Sequence, residues 1–164
     1  MATGQQASYF LELSGASGES QESGFTEKIA IKRWQFVGTA SSTVAQTQGS
    51  GGGKATLHPL ELEADMDASF TKIAKLMTEG QHIATVKLTG IKLSGASSGK
   101  EYLTITLKQV YVSQLHLEGQ SESPVMNMTL TYKSIKTDYK KQSGSGSLEN
   151  TSPHTYDNAS GETK

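Results

Sequence analysis

At 164 residues, with 34% hydrophobic content and 17 glycines, the chain has the length of one domain and the turn-rich composition of a β protein rather than a helical bundle. Its net charge of −1, interspersed signs and single arginine, Arg33, speak against nucleic-acid or anionic-membrane partners. The absence of cysteine excludes disulfides, thiolate catalysis and cysteine-ligated zinc.

The opening MATGQQASYFLEL has no basic stretch leading into an apolar one, and no run nears the ~18–20 apolar residues of a membrane helix. The expectation is a protein made and folded in the cytoplasm that leaves the cell only through a dedicated machine. Residues 9–13 alternate and predict a short strand, followed by the polar turn SGASGESQESG. A long strand is predicted over 25–38, then a polar loop over 39–54. A loop of about fifteen residues without periodicity is uncommon in a compact domain and is usually functional or disordered.

That loop ends in TQGSGGGKAT. A phosphate-binding loop of the Walker type needs Gly, four residues, then Gly-Lys and a hydroxyl residue. Here Gly53-Lys54 is followed by Ala55, and Gln48 stands where the first glycine belongs. Two of four defining positions fail, so the run needs a structural explanation.

A strand follows over 55–64, with Leu57, Leu60 and Leu62 apolar. Residues 68–79 form the single predicted helix: Phe70, Ile73, Ala74 and Met77 recur at helical spacing, Asp67 or Ser69 can cap its start, and Gly80 supplies a left-handed stop. Long β segments are predicted over 82–93, 101–117 and 124–140. Residues 1–140 read as one domain, and 141–164 as a loose polar tail with a short strand at 154–157.

The long strands share a change of apolar parity. It falls between Ile31 and Trp34, Leu88 and Ile91, Leu107 and Val110, and Tyr132 and Ile135. A period-2 strand changes its buried face only at a bulge or bend. Strands that all do so predict a mainly β fold: a small β-barrel of two sheets with bent strands, one helix and a long extended loop.

Catalytic constellations are missing. His58, His82, His116 and His154 stand alone, without ligand-like spacing. Glu61, Glu63, Asp65 and Asp67 alternate with apolar residues but lack the central glycine and distal glutamate of a calcium loop, so they read as a solvated strand face running into a helix cap. No Gly-x-Ser-x-Gly elbow occurs. The reading is a protein without enzymatic activity, cofactor or metal.

Taken together, these segments resemble the haemolysin-coregulated proteins (Hcp), ring-forming tube subunits of bacterial type VI secretion systems. The resemblance is carried by YFLELSGASGES with its triplet Gly18, Glu19 and Ser20, by IAIKRWQF with Trp34 and Phe36, and by the glycine-ended loop. The helix ending at Gly80, EYLTITLKQVYVS (101–113) and NMTLTYKSIKTDY (127–139) complete it. It is collinear over about residues 8–140; the usual proline at the helix start is missing, and the tail aligns only loosely.

The resemblance implies a homohexameric ring that stacks head to tail into a hollow tube. Its implied partners are a spike protein at the tip, a contractile sheath, a baseplate and effector proteins. Secretion without a signal peptide, no nucleic-acid partner and no membrane insertion are implied too. The loop becomes an arm that docks on the next subunit, with Thr43, Gln46, Gly51, Gly52, Gly53 and Lys54 at the ring interface. Residues opposite Trp34 and Phe36 become candidates for the lumen, Gln35 foremost for cargo contact. Two other readings share the composition: a tube subunit of a phage-tail-like contractile particle, and a monomeric β-barrel binding module with a ligand site on its loop.

Overall fold

The alternating segments pair into one large antiparallel sheet. The computed structural model describes residues 7–41, 54–92, 99–119 and 122–164. In chain order these form β1 (Ala7–Leu13), β2 (Ile29–Ile31), β3 (Arg33–Gln35), β4 (Gly38–Ala40), β5 (Ala55–Leu57) and β6 (Leu60–Asp65). Helix α1 (Ser69–Thr78) follows, then β7 (Ile83–Lys92), β8 (Lys100–Glu118), β9 (Val125–Gln142), β10 (Leu148–Asn150) and β11 (His154–Asp157). The hydrogen-bonded order is β2-β1-β7-β8-β9-β6-β3, with β10 and β11 also on β9, while β4 and β5 pair separately.

The expected bends are present, and three strands share one. Val86, Leu107 and Ile135 lie side by side in one buried row, extended by Leu13 and Tyr156. Ile83, Val110 and Tyr132 form the next buried row, three residues along each strand. Between the rows, Ala84, Lys108 and Gln109 are exposed. Gln109 takes the left-handed backbone conformation (φ 51°), so each strand changes its inward face here without losing register. A second change on β7, from Leu88 to Ile91, coincides with a register shift between Gly90 and Ile91, the signature of a bulge.

Two segments expected as single strands are broken. Over 25–38, residues 25–28 are turn, and Lys32 separates β2 from β3. At Lys32 the chain leaves β1 and joins β6: its N–H donates to the Glu63 carbonyl at 2.8 Å and its ammonium pairs with Asp65 at 3.1 Å. Thus β2 and β3, the two ends of the order, are consecutive in the chain, and the sheet curls to bring β2 near β6 without closing into a hydrogen-bonded barrel. Over 55–64 the break falls at His58-Pro59, where proline has no N–H for a ladder.

The curl encloses the core: Leu11, Ile29, Leu60, Leu88, Leu107, Met126, Met128 and Leu130 are nearly inaccessible, each fully buried side chain contributing about 1.5–3 kcal/mol. Helix α1 packs on β8 through buried Ile73, with Phe70 and Met77 half-buried beside it. Its start is capped from Asp67, whose carboxylate accepts the Ser69 N–H at 2.9 Å, and its end by Gly80 at φ 61°. The tail, expected to be loose outside 154–157, is ordered through β10, β11 and a turn that brings Thr163 back beside Tyr156.

Candidate functional site: the arm root and a polar sheet face

The run that opens the loop does not continue β3 into the main sheet. After the exposed Phe36 and Val37, β4 pairs only with β5, Thr39 opposite Thr56, in a ladder that stands apart. Among the described residues neither strand has a second strand partner; the outer edge of β4 is open, while β5 lies half-buried against the body and its Ala55 carbonyl accepts a side-chain hydroxyl. Every residue of β4 is exposed. Of the loop positions singled out from sequence, Thr43, Gln46, Gly51, Gly52 and Gly53 lie outside the described residues; Lys54 is described and exposed at the start of the return strand.

The base of the arm is held by side chains from the body. His58 N–H donates to the Val37 carbonyl at 2.8 Å, and its Nε2 lies 3.1 Å from Thr39 Oγ1. Two buried tyrosines each donate a hydroxyl to the returning chain: Tyr132 to the His58 carbonyl at 2.8 Å, and Tyr156 to the Ala55 carbonyl at 2.6 Å. Burial pushes the Tyr132 phenol up to about 12, so it remains a donor throughout the physiological range. From sequence Tyr132 entered only as an apolar position of its strand and Tyr156 only within the strand 154–157, neither as a holder of the arm. A tyrosine aimed at a backbone carbonyl far along the chain leaves no local spacing to read.

Gln35 belongs to a second feature. Across β3, β6, β9 and β8, Gln35, Glu61, Thr129 and Gln114 stand in one row, and Arg33, Glu63, Asn127 and His116 in another. The row between them, Trp34, Leu62, Met128 and Leu115, points the other way into the core. Gln35 therefore faces opposite Trp34, as the strand period predicts. It is exposed and accepts from the Arg33 guanidinium at 3.0 Å. Phe36, expected to share the inward side of Trp34, is 40% exposed because the chain turns off into the arm. The groove on this face, about 220 Å³, is smaller than the ~300–1,000 Å³ of small-molecule sites and carries two carboxylates against one guanidinium.

The four histidines stay apart: His58 at the arm root, His116 on the polar face, His82 beside Tyr111 and His154 on β11. Among the described residues no three His, Cys, Asp or Glu side chains converge as a metal site, and no helix is long and apolar enough to cross a membrane. Glu61, Glu63 and Asp65 lie on β6 between inward Leu62 and Ala64. The triplet Gly18-Glu19-Ser20 has a packing role: Gly18 is buried where the 14–28 turn crosses Lys28 and Asp67, and its N–H donates to the Glu27 carbonyl at 2.8 Å. The turn is pinned by Phe25 stacked on Phe10 at 4.8 Å.

Comparison with known proteins places these features in a family. The model of the family described as type VI secretion system effector, Hcp, matches residues 10–139. The protein named Hcp1 of Pseudomonas aeruginosa is 29% identical over 142 residues, covering 85% of this chain and 87% of that protein. Among solved structures, one described as a type six secretion system protein superposes with a TM-score of 0.87 at 21% identity, covering 97% of this chain and all of the other. Hcp1 from Salmonella typhimurium follows at 0.74 and 19%, covering 96% of this chain and 99% of that one.

Proposed function

The chain belongs to the Hcp family of type VI secretion, and from that premise we propose that it is a structural tube subunit whose copies close into hexameric rings through the β4–β5 arm. The observation that carries this reading is the arm itself. It forms a ladder separate from the main sheet, its β4 edge is open and Phe36 and Val37 are exposed at its base. A ring closes through heterologous contacts, one patch meeting a different patch on the neighbour, and an open strand edge with exposed apolar residues is a ready partner for such a patch. The proposed contact runs from Lys54 through Gly51, Gly52, Gly53 and Gln46 to Thr43. Glycines there allow close approach of two backbones.

In this reading rings stack head to tail, and the polar rows that include Gln35 line the lumen. These rows, which mix three amides, a hydroxyl and an imidazole with Arg33, Glu61 and Glu63, offer passing effector proteins a polar surface without an apolar patch to hold them. The work is mechanical: contraction of a sheath on a baseplate drives the tube and its spike outward. The subunit assembles in the cytoplasm and is secreted without a signal peptide, and no residue needs to be catalytic.

Light scattering of the purified protein across a concentration series tests the ring. A species of six times the chain mass is expected. A monomer at every concentration overturns the ring and leaves a β-barrel binding module as the reading.

A further inference from the structure

The arm's return strand is gripped by a part of the chain that the tube reading does not call upon. Residues 154–164 form a hairpin in which Thr155 and Lys164 exchange backbone hydrogen bonds at 2.8 and 2.9 Å, and Asp157 N–H donates to the Glu162 carbonyl at 3.0 Å. Its turn is fixed by the Asp157 carboxylate, which accepts the Ala159 and Ser160 N–H groups at 2.8 and 3.0 Å. One side is zipped to β9 from His154 to Asp157, and Asn158 N–H donates to the Lys133 carbonyl at 2.8 Å. The hairpin is thus a rigid extension of the body.

Two points on it reach the arm. Tyr156, buried in the row with Ile135, donates its hydroxyl to the Ala55 carbonyl at 2.6 Å. The Lys54 ammonium donates to the Ala159 carbonyl at 3.4 Å, and the lysine stem lies across Gly161 so closely that a Cβ there would sit 2.8 Å from Lys54 Cε. With Tyr132 on His58, successive parts of the returning chain (Lys54, Ala55 and His58) are each tied to the body. The hairpin holds Lys54 and Ala55, the described residues of the return strand nearest the loop.

We propose that the 154–164 hairpin aims the arm, with Tyr156 as its principal positioning residue, so that the tail sets the geometry in which one subunit meets the next. The consequence for assembly rests on the ring reading; the grip on the arm does not.

The test compares Tyr156→Phe with the parent and with Tyr102→Phe. The latter removes the hydroxyl that bonds Tyr9 at 3.0 Å but leaves the arm root untouched. Amide exchange is measured on dilute, unassembled protein. In Tyr156→Phe, exchange within Gly38–Ala40 and Ala55–Leu57 is expected to rise about fivefold, the worth of one hydrogen bond, with β8 unchanged. The concentration at half-assembly is expected to rise by a similar factor. Arm exchange that stays at the parent rate, rises equally in Tyr102→Phe, or rises while assembly holds its midpoint would each overturn the proposal. A parent protein that never assembles removes the ring, while the exchange measurement still decides the grip.

Discussion

Replacing Gly18 by alanine adds one methyl group where the turn crosses the chain leading into β2. The new Cβ would lie 2.5 Å from the Lys28 carbonyl oxygen, 2.7 Å from its carbon and 2.7 Å from Asp67 Oδ2. The Lys28 carbonyl cannot retreat freely, since it accepts the Ser20 N–H at 3.1 Å and the next residue begins β2. Relieving the overlap costs about 1–3 kcal/mol. Asp67 must give way as well, and the Ser69 N–H then loses its acceptor, which adds about 1 kcal/mol. A destabilisation of about 3 kcal/mol lowers Tm by roughly 6–12 °C in a chain of this length. Thermal melting by circular dichroism, on protein dilute enough to be unassembled, reads this directly. Gly119→Ala, which meets nothing within 4 Å, is the control and should melt within about 2 °C of the parent. A Gly18→Ala protein that melts with the control refutes the packing account of the triplet.

At the shared bend, Leu107→Ala should cost about 2–5 kcal/mol in urea unfolding, because the side chain is 1% exposed; Leu117→Ala, 39% exposed, should cost under about 1 kcal/mol. Burial raises Tyr132, which favours its neutral form in the fold, so the stability it contributes is whole below pH 10 and is lost as pH rises toward about 12. Absorbance titration should show a late tyrosinate step near that value, absent in Tyr132→Phe. Asp157 behaves oppositely. Its carboxyl is lowered, chiefly by the Ser160 N–H, so its contribution is present above the ordinary aspartate range and lost as pH falls through its folded value. Loss of protection at the Ala159 and Ser160 amides in acid, already present at neutral pH in Asp157→Ala, is the expected result.

How much of this was legible in the sequence depends on the range over which each feature is decided. Steps such as Leu107 to Val110 and Tyr132 to Ile135 are local breaks in a period of two, and they mark the bend where the strands carry it. The matching step on β7, Ile83 to Val86, escaped because Ala84 and Thr85 give no contrast until neighbouring strands supply one. Pairing is less visible still. Nothing in IAIKRWQF says that its first half joins β1 and its second half β6, since the exchange depends on where β6 lies. The outward aim of Gln35 followed from strand period, yet its neighbours Glu61, Thr129 and Gln114 emerge only from register. Tyr156 reaches a carbonyl 101 residues away, and carbonyls are identical at every position. The glycine run departs from the phosphate-loop pattern at Gln48 and Ala55, and the run itself lies outside the described residues.

A curled sheet that ended in hydrogen bonds would have a seam, and a seam under load opens like a zipper, one bond at a time. Here the strands on either side of that line are consecutive, with Lys32 between them. What spans the gap is therefore a covalent chain, with the Lys32–Asp65 pair alongside it. A load across that line is carried by the backbone there and passes to the short β1–β2 and β3–β6 ladders on either side. For a subunit proposed to be thrust forward within a column of its own copies, the weakest line around its wall has been moved away from the place where the wall was joined.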